Sequence, residues 1–148
     1  MVTQKSQYAL RALFELALRA DAGPTRIEDI AKAQGIPQRF LEAVLNELKR
    51  TGLVEAKRGP RGGYQLARSP RDITVAQILE SSQGPFTPVQ CLSDPASSDC
   101  RFKGDCVFLP LWEQARIAVT EVYQATTLQA LVDRETERGA LGAYDYSI

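Results

Sequence analysis

Two kinds of hydrophobic spacing meet in the first half of this chain, and their order is the strongest constraint on its fold. Leu10, Leu13, Phe14, Ala17 and Leu18 recur at i, i+3, i+4, i+7 and i+8 and predict an amphipathic helix over residues 6–20. Asp21-Ala22-Gly23-Pro24 stops it. Thr25-Arg26-Ile27-Glu28 has the pattern of a capping box and predicts a second helix, which buries Ile27, Ile30 and Ala31 and ends near Gln34-Gly35. Pro37 suits the first turn of a third helix with Leu41, Val44, Leu45 and Leu48 on one face, and Gly52 suits its left-handed stop. The period then changes. Two short extended runs, residues 53–57 and 64–67, flank Arg58-Gly59-Pro60-Arg61-Gly62-Gly63, which reads as a hairpin. Helix, helix, tight turn, helix, hairpin is the order of a winged helix-turn-helix, in which the third helix enters the major groove and the hairpin forms the wing.

The second half reads differently. Thr74-Val75-Ala76-Gln77 is another capping box and opens a short helix with Val75, Ile78 and Leu79. Residues 82–105 have poor periodicity. A long helix follows over residues 107–125, with Phe108, Leu111, Trp112, Ala115, Val119, Val122 and Tyr123 along its apolar side. Thr126 and Thr127 are placed to cap a last short helix through Leu128, Leu131 and Val132, and residues 138–148 read as irregular. The expected fold is mainly α. Residues 1–80 form a winged helix-turn-helix domain, 81–106 a cysteine-containing loop, 107–138 a dimerisation helix with a short terminal helix, and 139–148 a tail.

The formal net charge of the 148 residues is zero, which argues against a nucleic-acid partner until charge is placed along the chain. Residues 37–71 hold eight basic and three acidic side chains, net +5, whereas residues 91–148 hold five basic and nine acidic, net −4. The basic excess coincides with the predicted third helix and wing, as a DNA-binding footprint requires. Gln38, Arg39 and Glu42 sit near the end of the helix that reaches base edges. Asn46, Lys49 and Arg50 lie further along it, suited to phosphates, and Arg58 and Arg61 lie in the wing. The chain has no histidine, no phosphate-binding loop and no paired acid/base motif, so an enzyme is not expected. No apolar run approaches the roughly 20 residues of a membrane span, and the N-terminus lacks the apolar core of a signal peptide, so the expected location is the cytoplasm.

Cys91, Cys100 and Cys106, all the cysteines of the chain, form a C-x8-C-x5-C cluster just before the long helix. In a cytosolic protein such a cluster points to metal or redox chemistry. An iron–sulfur cluster, a thiol–disulfide sensor, zinc and inert thiols all remain open on spacing alone.

The sequence resembles the Rrf2 family of bacterial winged-helix transcription regulators over nearly its whole length. The resemblance is carried by Tyr8-Ala9-Leu10-Arg11-Ala12-Leu13, Ile30-Ala31, Phe40-Leu41-Glu42, the run from Leu48 to Leu53, and above all the wing Arg58-Gly59-Pro60-Arg61-Gly62-Gly63-Tyr64-Gln65-Leu66. Ile73-Thr74-Val75, Gly84-Pro85, Thr127-Leu128 and Leu131-Val132 also fit.

The resemblance implies a homodimer, paired through Trp112, Ala115, Val119 and Val122 of the long helix, that binds double-stranded DNA at an inverted repeat and acts as a repressor. It also implies that Cys91, Cys100 and Cys106 hold an iron–sulfur cluster, 2Fe–2S or 4Fe–4S, through which redox, iron–sulfur or sulfur status is sensed. The fourth ligand does not transfer. The iron–sulfur-regulating branch has a histidine three residues after the third cysteine, where this chain has Leu109. The nitric-oxide-sensing branch uses an N-terminal carboxylate of the other subunit, where this chain has Gln7. Asp94, Asp99, Asp105, Glu113, Gln7, a thiol or water are the alternatives. The cysteine-metabolism branch implies a further partner, because its aromatic-rich ending resembles Tyr144-Asp145-Tyr146-Ser147-Ile148. On that alternative, Tyr144, Tyr146 and the Ile148 carboxylate dock into cysteine synthase, and no cluster is present. An iron–sulfur carrier or a protein-interaction module without DNA binding is the alternative of another class, and a cluster carrier has no use for the basic helix and wing.

Overall fold

The structure, a computed structural model, describes residues 1–96 and 99–146, with side chains described as far as residue 139. Helices α1 (Gln4–Leu18), α2 (Ile27–Gln34) and α3 (Gln38–Arg50) are followed by strands β1 (Val54–Lys57) and β2 (Gly63–Leu66). Helices α4 (Val75–Gln83), α5 (Gln90–Ser93), α6 (Leu109–Ala125) and α7 (Leu128–Tyr146) complete the order. The strands are antiparallel, with Val54 opposite Leu66 and Lys57 opposite Gly63. The expected mainly α winged helix-turn-helix architecture is present.

Helix α1 is the central element, packed against α2, α3, α4 and α7. Its buried side is Ala9, Ala12, Leu13, Leu16 and Ala17, turned from the stripe expected from the larger side chains. Leu18 is 41% exposed, and Leu10 and Phe14 instead line a groove shared with Leu131 of α7. Three alanines on the buried side let neighbouring helices approach closely, so small residues occupy the core-facing stripe and larger ones the α7 side. Leu13, Ile30, Leu41, Leu45, Leu48, Ile73, Ile78 and Leu128 are among the largest fully buried side chains and join one core.

The second capping box forms as expected: Thr74 Oγ1 accepts from Gln77 N at 3.2 Å and Gln77 Oε1 accepts from Thr74 N at 3.1 Å. The first does not. Helix α2 begins after Arg26 with no side-chain cap, because Thr25 extends the hairpin instead. Thr25 N donates to Tyr64 O and Tyr64 N to Thr25 O, both at 2.8 Å. Two reciprocal backbone bonds displace a single side-chain cap.

The C-terminal half also departs from expectation. The last helix is not short, and residues 138–146 are not irregular, since α7 continues to Tyr146. Its first residue is anchored in the core. Leu128 N donates to Ile73 O at 2.9 Å, and Val75 N donates to Thr126 O at 2.8 Å, a short antiparallel clasp centred on Thr74 and Thr127. Near the far end of the described side chains Arg138 donates to both oxygens of Glu135, at 2.9 and 3.0 Å, and holds that carboxyl below its usual range. Leu128→Ala should destabilise the protein by roughly 2–5 kcal/mol through the lost burial and the cavity left behind. Differential scanning calorimetry should show one cooperative transition at a lower midpoint.

Candidate nucleic-acid interface and cysteine cavity

Burying Leu41, Val44, Leu45 and Leu48 fixes which side of α3 meets solvent. At 100° per residue, Arg39, Glu42, Asn46, Lys49 and Arg50 share the opposite side, with Gln38 at its edge, and all six are exposed. Arg39 also stacks over the Phe40 ring, its guanidinium carbon 4.8 Å from the centroid. Arg58 and Arg61 are exposed in the loop between β1 and β2. The eight positions expected from sequence thus lie on the outer side of α3 and on the wing.

The wing is held by contacts that sequence reasoning missed. Arg26 Nη2 donates to Pro60 O at 2.9 Å, tying the wing loop to the start of α2. Gly63 has φ +147°, and a Cβ there would overlap the Thr25 carbonyl. Only glycine lets Thr25 and Tyr64 pair so closely. The motif Gly62-Gly63 was visible in the sequence, but its partner Thr25, 38 positions earlier, carried no signal.

The three cysteines line one cavity. Cys91 and Cys106 are half-buried, Cys100 is exposed, and all three are free thiols. They line a cavity of about 540 Å³ together with Leu109 and the carboxylate residues Asp105 and Glu113. Among the described residues no three Cys, Asp or Glu side chains stand close enough together to hold one ion. Three soft thiolate donors beside carboxylates are nevertheless the donor set of an iron–sulfur group, and the cavity has room for one. Gln7 lies on α1, exposed, and does not line this cavity.

Helix α6 turns one side to its own chain. Tyr123 meets Phe86 edge to face, ring centroids 6.4 Å apart, and Thr120 and Tyr123 border α4. Trp112 and Val119 share that side and are half-buried, as is Ala115, whereas Val122 is 61% exposed. A different stripe faces outward: Phe108, Leu111, Ala115, Ala118, Val122 and Ala125, spaced 3, 4, 3, 4 and 3 residues apart. Leu111 is 53% exposed and Phe108 52%. Alternating threes and fours are the a/d seam of a helix that pairs with another helix. Of the sequence-derived interface set, Ala115 and Val122 lie on this seam. Tyr144, Tyr146 and Ile148 fall outside the described side chains.

A family model described as "Rrf2: Iron-dependent Transcriptional regulator" matches residues 2–134. The chain belongs to the Rrf2 family of transcriptional regulators. A curated relative from Synechocystis, a "Putative HTH-type transcriptional regulator", is 37% identical over 142 residues, covering 95% of this chain and 94% of its own. Among solved structures, T. potens IscR superposes with a TM-score of 0.77 at 31% identity, covering 93% of this chain and 90% of that one. CymR, described as the global cysteine regulator of B. subtilis, gives a TM-score of 0.74 at 33% identity, covering 90% of this chain and 97% of that one. The Rrf2 chain described here is accordingly a helix-turn-helix, DNA-binding transcriptional regulator. No helix among its described residues is long and apolar enough to cross a membrane.

The pairing of Gly63 with Thr25 gives a direct check on the wing. Gly63→Ala should destabilise the hairpin by roughly 1–3 kcal/mol and weaken DNA binding, with helical circular dichroism retained. Fluorescence anisotropy with labelled operator DNA reads the affinity.

Proposed function

We propose that this Rrf2 regulator works as a cytoplasmic homodimer that represses transcription by reading an inverted repeat, and that the cysteine cavity sets its affinity for that repeat. The observation that carries the reading is that one basic surface, on α3 and the wing, and one thiol cavity, at the start of α6, belong to a single connected structure. The outer side of α3 and the wing present Arg39, Lys49, Arg50, Arg58 and Arg61 to solvent. Gln38, Arg39 and Glu42 are placed for base edges, with Arg39 suited to guanine and Glu42 to the cytosine amino group. Asn46, Lys49 and Arg50 suit phosphates, and the wing arginines suit a narrow minor groove. Two copies are joined along the seam of Leu111, Ala115, Ala118 and Val122, which sets the spacing of the two α3 helices and hence of the half-sites.

Cys91, Cys100 and Cys106 would hold a 2Fe–2S or 4Fe–4S cluster, which supplies a redox- and iron-sensitive centre when bound. Bringing three thiolates onto one centre requires residues 91–106 to move, because they do not converge in the structure described. That segment leads into α6, so its rearrangement turns or shifts the dimer helix and the distance between half-site readers. The acidic excess of residues 91–148 keeps DNA on the other half of the molecule.

Two measurements test this reading. Arg58→Ala should weaken binding to inverted-repeat DNA several-fold and lower the salt dependence of log K by about one unit of slope. Unchanged affinity removes the wing from the interface. Alanine at all three cysteines should preserve the fold and DNA binding but abolish the difference in affinity between protein reconstituted with iron and sulfide and protein without them. A triple variant that still responds moves the sensor elsewhere.

A further inference from the structure

The chain contains no histidine, so a site built on three thiolates must find its fourth donor among other side chains. Two carboxylate residues line the cysteine cavity, Asp105 and Glu113. Asp105 directly precedes Cys106, and consecutive side chains diverge from the backbone, so the two are poorly placed to converge on one centre. Glu113 stands in α6, seven residues beyond Cys106, and Leu109 and Pro110 between them line the same cavity. The backbone is already turned there, with Leu109 N donating to Cys106 O at 3.3 Å.

Glu113 is also held in place. Arg116 donates to it from Nε at 2.9 Å and from Nη2 at 2.8 Å, and both bonds fall on the single oxygen Oε2. A charge-assisted pair of bonds on one oxygen orients the carboxylate and leaves a second oxygen of the same group for another partner. That is the outer-shell arrangement of a metal-ligating carboxylate, in which a neighbouring residue fixes the ligand and tunes its basicity.

From this geometry we infer that Glu113 is the fourth ligand of the iron–sulfur group carried by Cys91, Cys100 and Cys106, with Arg116 as its positioning residue. The inference rests on the sensor reading above and deepens it. The ligand stands in the second turn of α6, two residues from Leu111 of the exposed seam. Gain or loss of the group therefore acts on the pairing helix itself and not only through the preceding loop.

The test uses the full chain, purified and reconstituted without oxygen from ferrous iron and sulfide, and reads absorption, iron-57 Mössbauer spectra and release of iron to a chelator. The parent is expected to show one iron distinct from the rest. Glu113→Ala should alter that iron's Mössbauer signature and release iron at least about tenfold faster, and Arg116→Gln should speed release by roughly tenfold. Glu113→Cys should retain the group with a changed absorption spectrum, and Asp105→Asn should match the parent. Circular dichroism and a cooperative thermal transition confirm that each variant folds. A Glu113→Ala protein indistinguishable from the parent, or loss confined to Asp105→Asn, overturns the assignment of Glu113 while leaving the sensor reading intact. A parent that takes up no iron–sulfur group overturns both.

Discussion

Two backbone hydrogen bonds hold the two halves of this protein in one frame. Val75 donates to Thr126 and Leu128 donates to Ile73, at 2.8 and 2.9 Å. The side chains of Ile73 and Leu128 that flank them are fully buried. Shielded from water, such bonds are costly to break, because each freed group would be left without a partner. The clasp therefore fixes the junction of α6 and α7 to the start of α4, inside the DNA-reading half. Helix α6 becomes a lever about 25 Å long, one end held to the reader and the other beside the thiol cavity. The clasp adds to the packing of α6 on α4, which itself touches α3.

Charge is arranged around that frame rather than within it. The core of the reading half is aliphatic, and two of its described ion pairs, Lys5 with Glu47 and Lys57 with Glu55, lie towards the surface, whereas Glu15 of the Arg19 pair is buried. Exposed pairs contribute about 0–1 kcal/mol, so the fold does not depend on the basic side chains of α3 and the wing. Those side chains stay exposed to solvent. The zero net charge of the whole chain conceals this division between a basic reader and an acidic C-terminal half.

Much of this was legible in the sequence because it is local. The stripe of Leu41, Val44, Leu45 and Leu48, the Thr74–Gln77 capping box and the Gly-rich wing each depend on residues a few positions apart. What was not legible depends on distant partners. Thr25 looked like a helix cap, yet it pairs with Tyr64, and no local rule weighs a cap against a strand partner so far away. The length of α7 was underestimated because the Gly139 and Gly142 positions and the aromatic ending lower helical propensity, while the anchored Leu128 supplies the start that lets the helix continue. The outward seam on α6 was mixed with the inward side because Trp112 and Val119 are as apolar as Leu111 and Val122. Only the position of α4 separates the two stripes. The cysteines were found by their clustering, but the tie between Glu113 and Arg116 emerges only when α6 is built.

In the proposed mechanism the state of the cysteine cavity sets the spacing of the two reading helices. The most direct measurement is the distance between the α3 helices of one dimer, read by pulsed electron resonance from spin labels on a non-natural residue at position 43. Spectra would be taken before and after reconstitution with iron and sulfide. A displaced distance distribution is expected, with a shift on the order of 2 Å, together with a change in DNA affinity. An identical distribution in the two states, in a protein whose DNA affinity still changes, would contradict the mechanism.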